Sequence, residues 1–535
     1  EKCGHRRPMH HAFGIPHIMH VFMLPPLGFM SVVVAFAAFV ISVLYRRTLL
    51  LGNDFRPHVD LHGGEFTGSS YSSDSLARSL AALIQCPSVS LDSRDSSSSA
   101  GDSSSSAFDC VHDALFEKFP NAHAVLALTK VAKHSLLYEW KGSDSTLEPL
   151  LLVAHVDVVP VSAEQKTMWS HEPFGGEIVD NRVWGRGALD VKDRVVAQLA
   201  AVEALVARGV RQPKRTVYLA YGHDEEVMGY RGAGAIAKEL KRRGVARLAC
   251  VVDEGGAVVK GALPGLAKHM EYAAVGTSEK GYLNVRLRST MAGGHAAWPP
   301  AQGSPVTAIG RALAAIHENP LPLRLTPPVV AMLERAVPFV SEPLRTIFAN
   351  THVFGPIVTR VFSGKSPKTA AMVRTTIAAT KVLGGDKSNV VPAAAEAWLN
   401  VRVLPGEKAR DAVSAIRDRV AHLGVEVDAI EDDEHHVFDP APISPYGSDV
   451  PAWVALERAF HRTYGRDVIM APMVMMGGTD SKHYVTMTDT VYRMGPRLTD
   501  AEISSVHGAD ESIGVDTLVD EARLFENFVA LYCVD

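Results

Sequence analysis

Seven side chains supply most of the acid–base and ligand chemistry this sequence offers. His155 and Asp157 stand in AHVDVVP, Asp190 in GRGALDVKD, Glu225 and Glu226 in GHDEEVMG, Asp253 in VVDEGG and His507 in VHGAD. They are imidazoles and carboxylates, with no thiolate among them, a donor set that suits zinc and also accommodates cobalt or manganese. A single ion needs about three of these groups, so seven point to a pair of ions. With Asp190 as the shared carboxylate, His155 and Asp253 complete one ion, and Glu226 and His507 the other. Two divalent ions bring +4 and the three carboxylates leave +1, which one hydroxide balances, as a buried site requires. Glu225 is then free to serve as general base. Asp157, two residues from His155, is placed to hydrogen-bond the imidazole and raise its basicity.

A second stretch, GGTDSKHY at Gly477–Tyr484, invites two other readings. It is no phosphate-binding loop, because GxxxxGK[ST] is absent. It is no nucleophile elbow, because G-x-S-x-G is absent. It reads as a backbone loop beside a substrate carboxylate, with Gly477 and Gly478 allowing close approach.

The elements that must position these residues follow from periodicity. PLLLVAHVD is a continuous apolar run, as a buried parallel strand should be. KDRVVAQLAAVEALVARG carries Val195, Leu199, Val202 and Val206 at helical spacing and stops at Gly209. TVYLAYG and LACVVDEGG are further strands, and GAGAIAKELKRRG is a helix between them. The pattern predicts an α/β catalytic domain with a mostly parallel sheet, in which four of the chemical stretches directly follow strands. Ligands of open parallel sheets bind there, at the carboxyl ends. After Val275 the pattern changes to strand GYLNVRLRST, helix SPVTAIGRALAAIHEN, strand EAWLNVRVLPG, helix DAVSAIRDRVAHLG and strand VEVDAIE. Ser304 is the expected cap of the first helix, with Val306, Ile309, Leu313 and Ile316 on one stripe. These pieces predict an inserted α+β domain, with residues 320–380 as extra material inside it. The expected division is 1–75 for an N-terminal anchor and stalk, 76–275 for the first part of the catalytic domain, 276–430 for the insertion, and 431–535 for the second part.

Length and composition set the remaining limits. A chain of 535 residues exceeds one ordinary core. A net charge of −5 with no basic run argues against nucleic acid as a partner. Leu27–Tyr45 carries no charge, is followed by Arg46 and Arg47, and has about the ~20 residues a bilayer core needs. It predicts a single-pass anchor in the secretory or vacuolar pathway with a lumenal catalytic domain. Leu91–Asp109 is Ser-rich and predicts a disordered insertion between two helices. None of the five cysteines forms a CxxC pair. A Cys86–Cys110 bridge and free thiols are both compatible with the spacing.

Taken together, HVDVVP, GRGALDVKD, GHDEEVMG, DEGG, GGTDSKH and the late HG resemble the di-zinc metallopeptidase family that includes aminoacylase, carnosinase and carboxypeptidase S. The likeness runs from about residue 80 to the C-terminus. It is strongest to the branch of carboxypeptidase S and the secreted N-acyl-amino-acid hydrolases, whose members typically begin with an anchor or signal sequence. The resemblance implies a zinc-peptidase-like catalytic domain, an inserted lid and dimerisation domain, and two Zn2+ per chain held as above. It adds His295, which would reach a partner subunit's site and polarise the scissile carbonyl. It also adds Asn389 and Arg402, which with Gly478 would hold the substrate carboxylate. An Arg fork suits a carboxylate in a bidentate manner. A cis peptide after Asp190 is implied too, although Val191 stands where the family often has an acidic residue or Met. Met228 occupies a place where a small residue is common. The implied activity is cleavage of an amide next to a free carboxylate, as a carboxypeptidase on short peptides. The alternatives are an N-acyl-amino-acid hydrolase, a dipeptidase, or a membrane-tethered binding protein without catalysis. The last would lack a ligand or the base, and none is missing.

Overall fold

The computed structural model describes residues 26–54, 71–91, 103–261, 263–431 and 436–535, with the side chains of 26–33, 35, 36, 53, 54, 103 and 104 outside that description. Its centre is a nine-stranded mixed sheet. Strands Val217–Gly222, Leu150–His155, Cys250–Asp253 and Val491–Arg493 lie side by side and parallel. Every residue of Leu150–His155 and Val217–Gly222 is buried, which explains their unbroken apolar runs. Helix Lys192–Ala207 packs across this sheet with almost every residue buried, and Gly209 follows it at φ +94°. The chain leaves the sheet and returns for helices Pro451–Tyr464 and Val515–Val529, whose apolar residues join the same core, and for strand Ile469–Met475, which gives Met470 to it.

The excursion builds a four-stranded antiparallel sheet from Thr376–Leu383, Ala394–Val403, Gly281–Thr290 and Glu426–Ile430. Buried and half-buried residues alternate along Gly281–Thr290 and Ala394–Val403, the signature of a sheet covered on one face. Helices Pro305–Glu318 and Ala409–Val420 cover it. Ser304 closes a capping box on the first helix, as its sequence predicts. The buried stripe of that helix is Ile309, Ala312 and Ile316, whereas Val306 faces outward.

Three expectations change here. The segment 320–380 does not simply enlarge the inserted domain. Its helices Pro327–Ala336 and Thr351–Lys365 bury Val329, Leu333, Val358 and Phe362 in a core shared with Tyr272, Ile469, Ala471 and Val474 of the central sheet. These helices cover one face of Ile469–Met475, the strand at the end of the sheet. Of the Ser-rich insertion, residues 92–102 lie outside the described residues. From Ser103 the chain is helical to Lys118, and Cys110 within this helix is bonded to Cys86. The largest change concerns the anchor. The run Leu27–Tyr45 lies in helix Pro26–Asp54, but among the described residues no helix is long and apolar enough to cross a membrane. The single-pass lumenal placement is therefore withdrawn. The end of this helix is tied to the globular body instead. Arg47 donates to the Ala349 carbonyl and pairs with Glu334 at 2.7 Å, while Asn350 donates to Leu44 O and to the buried Thr48 hydroxyl.

Candidate metal centre and active site

The parallel strands deliver their chemistry at one edge. His155 ends strand Leu150–His155 and is 1% exposed. Its Nδ1 lies 3.0 Å from the Asp157 carbonyl, an obligate acceptor, so Nδ1 carries the proton and Nε2 presents its lone pair. That Nε2 lies 3.2 Å from Asp190 Oδ1 and 3.4 Å from Glu254 Oε1. On the other side, His507 Nε2 lies 2.7 Å from Asp190 Oδ2 and 3.3 Å from Glu226 Oε2. Asp190 thus offers one oxygen to each imidazole, the disposition of a carboxylate shared between two ions. Ligand atoms of His155, Asp190 and Glu226 lie within 4.8 Å of one another, as do those of His155, Glu225 and Glu254.

One member of the predicted set, Asp253, is not among the ligand atoms gathered within 4.8 Å at His155. Asp253 is 1% exposed and its carboxylate is already used, by the Ser481 N–H at 2.7 Å and the Glu254 N–H at 2.8 Å. Glu254 takes the place beside His155. Adjacent residues at a strand end point to opposite sides, so DEGG identifies an acidic pair without saying which member turns inward.

The surrounding groups fix this geometry. Asp157, fully buried, accepts the Glu225 N–H on Oδ1 and the Glu226 N–H and Ser90 hydroxyl on Oδ2. It therefore positions both the histidine and the acidic turn. That turn is a short 3-10 segment, Glu225–Val227, following strand Val217–Gly222. Asp224 caps the next segment by accepting the Arg231 and Gly232 N–H groups. Asp190 precedes helix Lys192–Ala207 across a cis peptide to Val191. Its loop is held by Glu511, whose Oε1 accepts the N–H groups of Gly187, Leu189 and Asp190 while Oε2 pairs with buried Arg186. Sequence reasoning missed Glu254, Glu511 and Lys482. The signals available were the second acid of DEGG, an acid four residues after His507, and the lone cation of GGTDSKHY.

The electrostatics are those of carboxylates crowded in a dry site. Burial pushes Glu225 well above the usual range, helped by the charge of Glu254, and burial also raises Glu254 to about 7. Burial opposes charge on His155, yet hydrogen bonds to Asp157, Asp190 and Glu254 hold its pKa well above normal. Hydrogen bonds to Asp190 and Glu226 raise His507 to about 10. Protons here do what cations would do. Among the described residues, buried Glu226 Oε1 has no hydrogen-bond partner, an acceptor that a cation would satisfy. The donors therefore fit divalent metal ions.

The cluster opens on a cavity of about 550 Å³ whose lining includes Glu225, His507, Gly478 and Arg402. Arg402 lies with its guanidinium carbon 4.6 Å from the Tyr282 ring centre. Added Cβ atoms on Gly477 or Gly478 would meet nothing within 4 Å, so these glycines leave the mouth open. His295 and Asn389 are elsewhere. They are exposed neighbours on the inserted domain, joined by the two-residue ladder of Gly294–His295 with Val390–Val391, and line a separate cavity of about 920 Å³. The structure does not bring them to the cluster of the same chain.

A parallel sheet carrying imidazoles and carboxylates at its strand ends, with a smaller sheet domain inserted, defines a metallohydrolase of the zinc-peptidase type. Residues 151–531 match the model of peptidase family M20/M25/M40, and the chain belongs to that family. It is 35% identical over 408 residues to a probable carboxypeptidase S-like 2 of Dictyostelium discoideum, covering 76% of this chain and 75% of that protein. It is 33% identical over 461 residues to the mouse N-fatty-acyl-amino acid synthase/hydrolase PM20D1, covering 85% and 87%. Among solved structures it is similar to an M20 family metallo-carboxypeptidase from Sulfolobus solfataricus, with TM-score 0.58, 17% identity and coverage of 85% and 99%. Human carnosine dipeptidase 1 gives TM-score 0.56 at 15% identity, covering 92% and 98%. At such identities these two matches speak for the fold. The chain is a metal-dependent hydrolase, which removes the reading as a non-catalytic binding protein.

Proposed function

We propose that the enzyme binds two divalent ions, zinc foremost, and cleaves an amide bond beside a free carboxylate, as a carboxypeptidase on short peptides. His155, Asp190 and Glu254 would hold one ion, and His507, Asp190 and Glu226 the other. When bound, the ions supply Lewis acidity to the attacking water and to the scissile carbonyl. Glu225 takes the proton of the attacking water and delivers it to the leaving nitrogen. Asp157 keeps His155 and the Glu225–Glu226 turn in register. The observation that carries this reading is the single cavity joining Glu225 and His507 to the half-buried Arg402, a base and an anion receptor facing one space.

An N-acyl-amino-acid substrate is the second reading, favoured by Met228, Tyr282, Phe438 and Val485 on the same cavity wall. His295 and Asn389 are assigned to the site of a second copy in a homodimer built through the inserted domain, for which their exposure leaves room. Residues 276–430 remain our choice for that domain.

The test is hydrolysis of an N-blocked dipeptide with a free C-terminus, beside an N-acyl amino acid, after loading with zinc or cobalt. Turnover is expected, together with two ions per chain by elemental analysis. Glu225→Gln should lose turnover and keep both ions. No hydrolysis of either substrate by the metal-loaded protein overturns the proposal.

A further inference from the structure

Three lysine and arginine side chains line the active-site cavity, and they are not equally free. Lys280 Nζ donates to the carbonyls of Ala371 and Arg374 and to the Thr376 hydroxyl, so its hydrogens are directed away from the cavity. Arg402 donates Nε–H to Asn400 Oδ1 at 3.1 Å and rests on Tyr282. Among the described residues, the Lys482 ammonium makes one hydrogen bond, a long one of 3.3 Å to the Thr479 carbonyl. An ammonium has three donors, so Lys482 has capacity to spare inside the cavity. It stands 6.0 Å from the Phe438 ring centre and belongs to the same wall as Glu225.

Its surroundings explain why it stays there. Lys482 lies within the 3-10 turn Asp480–His483, and that turn is pinned by a buried network. Arg493 donates to Glu279 at 2.6 Å and to the Ser481 hydroxyl at 2.8 Å, while Thr479 donates to the same Glu279 oxygen at 2.6 Å. The Ser481 N–H is held by Asp253. Three contacts on a short turn and its cap, backed by the Arg493–Glu279 pair, fix the base of the Lys482 side chain and leave its head free, the disposition expected of a ligand-binding group. Burial opposes its charge, but Glu225, Asp480 and Glu279 nearby hold its pKa above the ordinary lysine value. Gly477 and Gly478 on the approach to it carry no side chain to obstruct a ligand.

We propose that Lys482 determines specificity by receiving the free carboxylate of the substrate, placing the amide next to it within reach of Glu225. The inference rests on the proposed amide hydrolysis and extends it to substrates with an anionic group on the amine side of the scissile bond. Arg402 then serves as a second cationic wall rather than the sole anchor. Loss of one partner of a buried, hydrogen-bonded charge pair costs affinity heavily, so removing the ammonium should raise KM roughly 100-fold for free-acid substrates.

The experiment compares matched substrates, an N-blocked dipeptide with a free C-terminus and its C-terminal carboxamide, in wild type, Lys482→Met and Lys482→Arg, each fully metal-loaded. The proposal expects Lys482→Met to raise KM for the acid about 100-fold, leave the carboxamide nearly unchanged and change kcat little, with Lys482→Arg recovering most of the difference. Equal losses on acid and carboxamide would overturn it, since a residue that only supports Glu225 acts on both. Should Lys482→Met not fold, Lys482→Gln carries the same comparison. In wild type, the free amino-acid product must inhibit at least tenfold more strongly than its amide, and equal inhibition also overturns the proposal. Absence of turnover in wild type would instead refute the amide-hydrolase reading.

Discussion

Asp253 and Glu254 are neighbours with the same chemistry, and the structure gives them opposite duties. Glu254 Oε1 faces His155 Nε2 at 3.4 Å, and both belong to one potential ligand set. Asp253 faces the protein and accepts two backbone N–H groups. Their isosteric amides should therefore separate two properties. Glu254→Gln removes an anionic ligand. The loss of metal affinity should be at least the ~10–100-fold that follows removal of a mere outer-shell partner. Elemental analysis after dialysis at limiting zinc should then find close to one ion per chain. Stability of the metal-free protein should hardly fall, because a carboxylate among carboxylates is lost. Asp253→Asn behaves in the opposite way. The charge that two buried donors share disappears, and one of them meets an NH2 group, which costs about 1–3 kcal/mol. Denaturant melts of the metal-free protein should register that loss, while two ions per chain are retained when zinc is in excess. If Asp253→Asn lost an ion at excess zinc and Glu254→Gln kept both, the assignment of Glu254 as ligand would be refuted.

Other substitutions test the supports. Glu511→Gln leaves Arg186 buried without its anion, a loss of about 3–5 kcal/mol for a broken buried pair, read as a lowered unfolding midpoint, with kcat falling because the Asp190 loop is released. Opening the Cys86–Cys110 bond, which spans 24 residues, by Cys110→Ser should cost about 3 kcal/mol in chain entropy, measured by urea melts with and without reductant. His483 donates Nε2–H to the Met228 carbonyl, and burial with the nearby Lys482 charge lowers its pKa from 6.5 to about 4. The unfolded chain therefore binds more protons between those values, and this contribution to stability is present above pH 6.5 and fades toward pH 4, by up to about 3 kcal/mol. His483→Gln keeps an N–H donor without titrating there, so its melts should lack that part of the acid slope.

How far the sequence could be read depended on whether a decision was local. Strand Leu150–His155 and helix Lys192–Ala207 announce themselves because burial on every side demands unbroken apolar residues, and Ser304 and Gly209 mark helix ends by chemistry that needs no partner. His155, the Glu225–Glu226 pair and the acids of DEGG were legible for a related reason, since each ends or follows a strand that the apolar pattern locates, whereas Asp190 precedes helix Lys192–Ala207 and His507 follows the short helix Asp500–Ser505. What escaped was decided by contacts across the chain. The choice between Asp253 and Glu254 rests on Ser481, more than two hundred residues later. Glu511 matters only because the fold carries it beneath Gly187–Asp190. Helices within 320–380 face the central sheet because Ile469, Ala471 and Val474 present an apolar face there that needs burial, a need no local pattern expresses. The hydropathy of Leu27–Tyr45 likewise says nothing of Asn350 and Ala349, which bind the helix end to the globular body through Leu44, Arg47 and Thr48. The same distinction bears on the chemistry. A ligand set drawn from strand ends and from loops beside helices tolerates change in everything between, whereas the parts that aim those ligands, Asp157, Asp253 and Glu511, are buried carboxylates spent on backbone N–H groups. Substitution at these three should therefore lower stability and catalysis together, while substitution of Glu225 should lower catalysis alone.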